Sequence, residues 1–368
     1  MLKAIRLIAK IPYFLMMRSR LLTRSDAYWE KRVGDRAPEI DGRRLKPRAQ
    51  GLIELQERLS IPSQHWTPAL LRNGYDKSVE MFDGPRPEVR QVRDMDISLP
   101  GRTLAARLYD NEATGQEARP CLVYFHGGGF VIGGLESHDG LCRKLARELA
   151  HPVLAIDYRL GPENRFPAAM EDALDVWRWV QENAADLNLD PAALSVAGDS
   201  AGAALSLLVA AWASRGEVGA RPRSLGLIYP PLALVHDTPS RDRLKDEKVI
   251  LTGELLEWFM AHFVSEDMAE GHPYLAPLDY AVAGNLPPAW ILTCGFDPLR
   301  DDGEMIRDRL RHLGARVEHT EYPDLYHGFI GASALFSEVD DMVKSLSRFM
   351  TETGESAKPG VPAPEPVE

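Results

Sequence analysis

Leu194-Ser195-Val196-Ala197-Gly198-Asp199-Ser200-Ala201-Gly202 reads as a short buried strand, a sharp turn carrying one serine, and the start of a small-residue helix. Gly198 and Gly202 frame Ser200 in the pattern G-x-S-x-G. The glycines let the backbone make a strained strand-to-helix turn and let the helix pack close behind it. Such a turn lifts the serine hydroxyl to the top of a sheet and points the next helix's N-terminus at a reacting group. Five residues alone also fit an ordinary glycine-bounded turn with a bystander serine. The choice rests on what flanks them.

Strands and helices alternate on both sides of this stretch. Cys121–Phe125 is a continuous apolar run, the mark of a buried parallel strand. A helix carrying Leu141, Leu145 and Leu149 on one side follows, then the strand Val153–Ile156. A second helix runs from Ala168 to about Asn183, with Ala169, Ala173, Val176 and Val180 on one face. After the serine turn come a helix from Ala201 to about Arg215 and the strand Leu225–Tyr229. Residues 231–288 break the rhythm with polar loop, a helix around Glu254–Val264, and Pro- and Gly-rich turns. They read as an insertion above the sheet. The strand Ala289–Cys294, a helix around Met305–Leu313, the strand Val317–Tyr322 and a last helix around Ser333–Met350 resume the alternation. Val92–Leu99 and Leu104–Tyr109 read as an antiparallel pair around Pro100-Gly101. Together these predict an α/β fold, a mostly parallel central sheet flanked by helices. Residues 1–90 are expected to form an N-terminal helical cap, 91–352 the main domain with its insertion at about 231–288, and 353–368 a disordered tail.

Length and charge bound the function. The 368 residues are 45% hydrophobic, ample for one large core. A net charge of -11 argues against nucleic acid as a partner. The charge is uneven: residues 1–50 are net +8, and the remainder is net -19. Residues 1–24 carry six basic side chains and no acid, with apolar residues between them. They contain no apolar run long enough to span a bilayer, and Arg6 and Lys10 interrupt any secretory signal. The segment could lie on an anionic membrane surface as an amphipathic helix. Pro12 would break that helix, and the other reading is a cap helix covering the main domain. Three well-separated cysteines, Cys121, Cys142 and Cys294, suggest reduced thiols and a cytoplasmic setting. No H-E-x-x-H or other metal-ligand spacing occurs, so no metal is expected.

A serine hydroxyl becomes a useful nucleophile only with a base in hydrogen-bond reach, a carboxylate to orient that base, and donors for the oxyanion. In hydrolases with this turn the chain order is Ser, acid, His, each at the C-terminal end of a strand. Ser200 follows one strand. Asp297 follows the strand ending at Cys294, and His327 follows the strand ending near Tyr322. The donors are expected from His126-Gly127-Gly128-Gly129-Phe130, directly after Cys121–Phe125. Consecutive glycines leave N–H groups open to a carbonyl oxygen. A dinucleotide cradle is the competing reading, but Ile132 stands where its third glycine belongs and no G-K-[ST] follows.

On these residues the chain resembles the hormone-sensitive-lipase-like (bacterial family IV) esterases of the α/β-hydrolase fold. The resemblance spans about residues 85–350 and rests on HGGGF at 126–130, DYRLGPE at 157–163, FPAAMED at 166–172, GDSAG at 198–202, DPLRDD at 297–302 and HGF at 327–329. Gly161 and Ala203 depart from the family's usual alanine and glycine. The resemblance implies an oxyanion hole from Gly128, Gly129 and Ala201, support of that loop by His126 and Gly127, no cofactor, and a Ser200–His327–Asp297 triad. It implies hydrolysis of small-molecule carboxylic esters with short to medium acyl chains. Amide or acetyl-metabolite hydrolysis and interfacial lipolysis would use the same machinery. Pairing of two copies through the last strand and helix is a further expectation. Asp157, Arg159 and Glu163 are read as an ion pair bracing the oxyanion loop, Asp301 and Asp302 as helix-terminal charges, and Tyr229 and Trp258 as acyl-pocket walls.

Overall fold

Strands that are apolar throughout must be covered on both faces, and the path of this chain follows from that. The computed structural model describes residues 15–112, 118–232, 238–245, 247–264 and 272–355. In chain order the main strands are β1 (Gln91–Leu99), β2 (Arg102–Asp110), β3 (Arg119–Phe125), β4 (Val153–Asp157), β5 (Leu189–Asp199), β6 (Leu225–Ile228), β7 (Ala289–Phe296) and β8 (Val317–Tyr326). They form one sheet in the order β8-β7-β6-β5-β3-β4-β2-β1. Only β2 runs against its neighbours; the other pairings are parallel. The β1–β2 hairpin turns at Pro100-Gly101, as expected, with Leu99 opposite Arg102 and Gly101 at φ +74°.

The helices are α1 (Asp26–Val33), α2 (Pro47–Leu59), α3 (Pro68–Phe82), α4 (Leu135–Leu149), α5 (Ala168–Glu182), α6 (Ala201–Ser214), α7 (Pro239–Leu244), α8 (Gly253–Phe263), α9 (Arg300–His312) and α10 (Glu338–Glu355). One face of the sheet packs on α5 and α6 through residues such as Ala173, Trp177, Leu205 and Leu208. The other face packs on α4 and α10 through Leu141, Leu145, Leu346 and Phe349. Trp29 of α1 and Leu52 and Leu55 of α2 join this second core. The N-terminal helices therefore continue the main core rather than standing apart from it.

Several expected boundaries differ: the serine strand starts at Leu189 and α9 at Arg300, each five residues early. β8 passes through Pro323 to Tyr326, with an irregular register between Tyr322 and Tyr326. A proline is tolerated there because β8 is the sheet's edge strand. The segment after His327 is a short 3₁₀ turn, Phe329–Ala332, and the last helix starts only at Glu338. That helix reaches Glu355, so residues 353–355 are helical rather than tail, and residues 356–368 lie outside the described residues. Of the basic N-terminus, residues 1–14 also lie outside them. Residues 15–23 are helical, with Met17 and Leu21 buried in the second core and Leu15 and Met16 exposed. Among the described residues, no helix is long and apolar enough to cross a membrane.

Candidate active site

Four loops at the C-terminal ends of β3, β5, β7 and β8 meet above the sheet. Ser200 sits between β5 and α6 at φ +51°, ψ -119°, a conformation costly for a side-chain-bearing residue. Its surroundings enforce it. The Ser200 N–H donates to the Ile228 carbonyl at 2.9 Å. The flanking glycines admit no substitute, because a Cβ on Gly202 would stand 1.9 Å from the Phe125 oxygen, and one on Gly198 would stand 2.4 Å from Gly202.

His327 Nε2 lies 2.9 Å from Ser200 Oγ, and His327 Nδ1 lies 2.8 Å from Asp297 Oδ2. Asp297 is fully buried, and its other oxygen accepts the Leu299 N–H at 2.8 Å. With the carboxylate accepting from Nδ1–H, Nε2 is left as the acceptor facing the serine. Tyr229, itself at φ +39°, packs its ring 4.4 Å from the His327 ring.

The glycine loop closes the other side. Gly128 and Gly129 have φ of +123° and +58°. A Cβ on Gly128 would meet the Ile132 oxygen at 2.1 Å, and one on Gly129 would meet Phe259 at 2.4 Å. Ala201 is the first residue of α6, where an N–H has no intrahelical acceptor. Gly128, Gly129, Ser200, Ala201 and His327 line one cavity. His126 is buried below the loop, its Nδ1 2.7 Å from the Gly127 oxygen and its ring stacked 4.3 Å from Tyr158. Burial, reinforced by the nearby His138, pushes its pKa down to about 3, so it is neutral there.

Several supports escaped the sequence reading. Asp199, the variable residue of the serine motif, is buried and accepts the Gly127 N–H at 2.9 Å and the Tyr124 hydroxyl at 2.8 Å. His138 Nε2 faces it at 3.2 Å. Burial alone would raise the Asp199 carboxyl, but His138 and the Tyr124 hydrogen bond bring it below the ordinary value. The expected Asp157–Arg159–Glu163 brace is a different network. Arg159 pairs with Asp172 at 2.8 Å, and Asp157 reaches only to 3.9 Å from His126. Glu163 instead pairs with Arg72 of α3 at 2.7 Å, and Arg72 also donates to the Val131 and Gly161 carbonyls at 2.8 Å each. The loop is thus braced from α3. Asp301 and Asp302 lie in the first turn of α9, as expected; Asp302 is in addition buried, pairs with Arg241 of α7 at 2.6 Å and accepts the Leu232 N–H at 3.0 Å. Asp301 accepts the Ser240 N–H at 2.8 Å.

The cavity around the serine has a volume of about 210 Å³, with α2, α3 and α8 above it. Tyr229 lines it and Trp258 does not. Trp258 stacks on His262 at 4.0 Å, and its place is taken by Leu255, Leu256, Phe259 and Met260 of the same helix. Among the described residues, no cluster of His, Cys, Asp or Glu could hold a metal ion.

A family model described as alpha/beta hydrolase fold matches residues 122–331, which include all four loops. The chain belongs to this family. Its HGGGF and GDSAG stretches place it in the hormone-sensitive-lipase-like branch. It is 35% identical to an ethyl acetate hydrolase of Pseudomonas putida over 73% of this chain and 85% of that protein. It is 38% identical to the carboxylic ester hydrolase LipN of Mycobacterium tuberculosis over 68% of this chain and 67% of that one. Among solved structures, an ester hydrolase from the Lake Arreo metagenome, in complex with a bipyridine phosphonate derivative, superposes with a TM-score of 0.80 at 33% identity. That match covers 84% of this chain and 99% of the other.

Proposed function

We propose that this α/β-hydrolase is a serine carboxylic-ester hydrolase working through an acyl-enzyme on esters with short to medium acyl groups. The observation that carries the proposal is the hydrogen-bonded chain from Ser200 Oγ through His327 to Asp297, at 2.9 and 2.8 Å, at the foot of an apolar cavity. His327 Nε2 takes the Ser200 proton as Oγ bonds to the ester carbonyl carbon. Asp297 fixes the imidazole tautomer and stabilises the imidazolium. The N–H groups of Gly128, Gly129 and Ala201 hold the oxyanion, and losing one such donor commonly costs about 10²–10³ in rate. As the carbon–oxygen bond to the alcohol breaks, His327 returns the proton to the departing oxygen. Water, deprotonated by the same nitrogen, then attacks the acyl-enzyme and releases the acid and Ser200.

The cavity's size supports the choice of acyl group, since drug-sized ligand sites run to about 300–1,000 Å³. The named relatives act on esters, which supports the reaction class. The test is Ser200→Ala against wild type on ethyl acetate and p-nitrophenyl butanoate, followed by pH-stat and absorbance. Turnover is expected to fall by at least about 10⁴. Undiminished turnover would refute the proposal.

A further inference from the structure

A second apolar groove lies beside the catalytic cavity. It has a volume of about 640 Å³ and runs between α2, α3 and the insertion segment 247–255. Leu59, Ile61, Trp66, Leu70, Gly74 and Met81 line it. Its far wall is built rather than loose: Trp66 Nε1 donates to the Ile61 carbonyl at 2.8 Å, and the Trp66 ring meets Trp258 of α8 edge-on at 6.3 Å. Glu57 of α2 and Lys248 of the insertion join across it at 3.1 Å.

The groove and the cavity share Gln56, Ser78, Phe82, Ile250 and Leu255 as lining residues, so the two spaces adjoin. We infer that this groove binds a long, uncharged, linear alkyl arm on the alcohol side of the ester whose carbonyl meets Ser200. The inference rests on the acyl-enzyme reading above. On that reading the acyl group stays attached to Ser200 and occupies the small cavity, while the alcohol must leave before water attacks. The departing half therefore belongs on the side open to solvent. The groove is open: Ile61 and Leu70 on its wall are 39% and 37% exposed. Its wall is mostly hydrocarbon, and among the described residues the one cation lining it, Lys248, is already paired by Glu57.

The experiment measures kcat/KM for two ester series by pH-stat. Alkyl acetates lengthen the alcohol from ethyl to octyl, and ethyl esters lengthen the acyl group from acetate to octanoate. Each methylene newly buried in the groove should raise kcat/KM roughly fourfold, so the alcohol series is expected to climb while the acyl series levels off early. A flat alcohol series, or a climb in the acyl series alone, overturns the inference and leaves the ester hydrolase standing. Turnover of neither series would instead strike the proposed function itself.

Gly74→Phe then tests the location. Gly74 lines the groove and a Cβ there meets no atom within 4 Å, so the wall accepts a new ring without a clash. The octyl-to-ethyl acetate ratio of kcat/KM is expected to drop at least tenfold, and a wild-type ratio overturns the assignment. Leu70→Glu, at an exposed position, puts a charge on the same wall and should lower the ratio in the same direction. It decides the question if Gly74→Phe fails to fold.

Discussion

Asp297 and Asp302 lie five residues apart, both fully buried, yet their hydrogen bonds predict opposite phenotypes. Consider replacing each with asparagine. Asp297 accepts two donors, the Leu299 N–H on Oδ1 and His327 Nδ1 on Oδ2. An asparagine there has one acceptor and one amide donor. If its oxygen keeps Leu299, its NH₂ faces His327 Nδ1 and drives the ring proton to Nε2, where it can no longer accept from Ser200. If the oxygen turns to His327, the NH₂ confronts the Leu299 N–H and the imidazolium loses its counter-charge. The first arrangement satisfies every donor, so the wrong tautomer should prevail. The rate loss expected for that tautomer is about 10⁴, equal to roughly 5.5 kcal/mol of barrier. Asp302→Asn removes the charge facing Arg241 and should act on stability. Breaking a buried pair costs about 3–5 kcal/mol. Burial already raises the Asp302 carboxyl despite Arg241, which places the cost toward the lower end. At roughly 0.8 kcal/mol per degree for a chain of this length, the melting midpoint should fall by about 4–5 °C, with kcat/KM within tenfold of wild type. The assay is butanoate ester turnover at saturating and limiting substrate, paired with a calorimetric scan. The reasoning fails if Asp302→Asn is the slower enzyme, or if Asp297→Asn stays within tenfold of wild type.

Gly129→Ala should lower kcat at least 10²-fold on small esters, because a Cβ at φ +58° meets Phe259 at 2.4 Å and the loop must move off the proposed oxyanion position. Arg72→Gln loses the guanidinium bonds to the Val131 and Gly161 carbonyls and the Glu163 pair; kcat should fall about tenfold with the triad intact, and titration with a phosphonate ester should still label Ser200 fully. His126 is held at about 3 in the fold against an ordinary value of 6.5, so between these values the unfolded chain binds the extra proton. The neutral ring's contribution is whole above pH 6.5 and is lost as pH falls toward 3, by up to about 1.4 kcal/mol per pH unit. Urea unfolding at pH 7.0, 5.5 and 4.5 should show that slope, and His126→Asn should flatten it.

The parts of this molecule that depend on local pattern were readable from the chain. Apolar runs such as Cys121–Phe125 could only be buried strands, and the residues just past them fell where the loops at the strand tips bring Ser200, Asp297 and His327 into contact. What could not be read depends on which distant segment arrives opposite. Arg159 finds Asp172 across a helix start, and Glu163 finds Arg72 of α3, 91 residues earlier. Asp302 is the helix-terminal charge its position suggests, but its pairing with Arg241 of α7, 61 residues earlier, is encoded by no periodicity. The sequence does not single out which residue of α8 faces the cavity, because that helix is apolar on several faces: Leu255, Leu256, Trp258, Phe259 and Met260 leave no unique inward side. Asp199 was hidden in the variable position of the serine motif, where only the packed structure shows the loop it holds.

The groups proposed to react ride on the tips of strands in a continuous sheet, whereas the roof over them is assembled from α2, α3 and α8, which come from two remote parts of the chain. Chemistry and selectivity are therefore written in separable text. A chimera that takes residues 47–82 and 247–264 from a relative should inherit the donor's taste in esters while keeping the recipient's turnover machinery, provided Arg72 comes with the graft to grip the loop beneath.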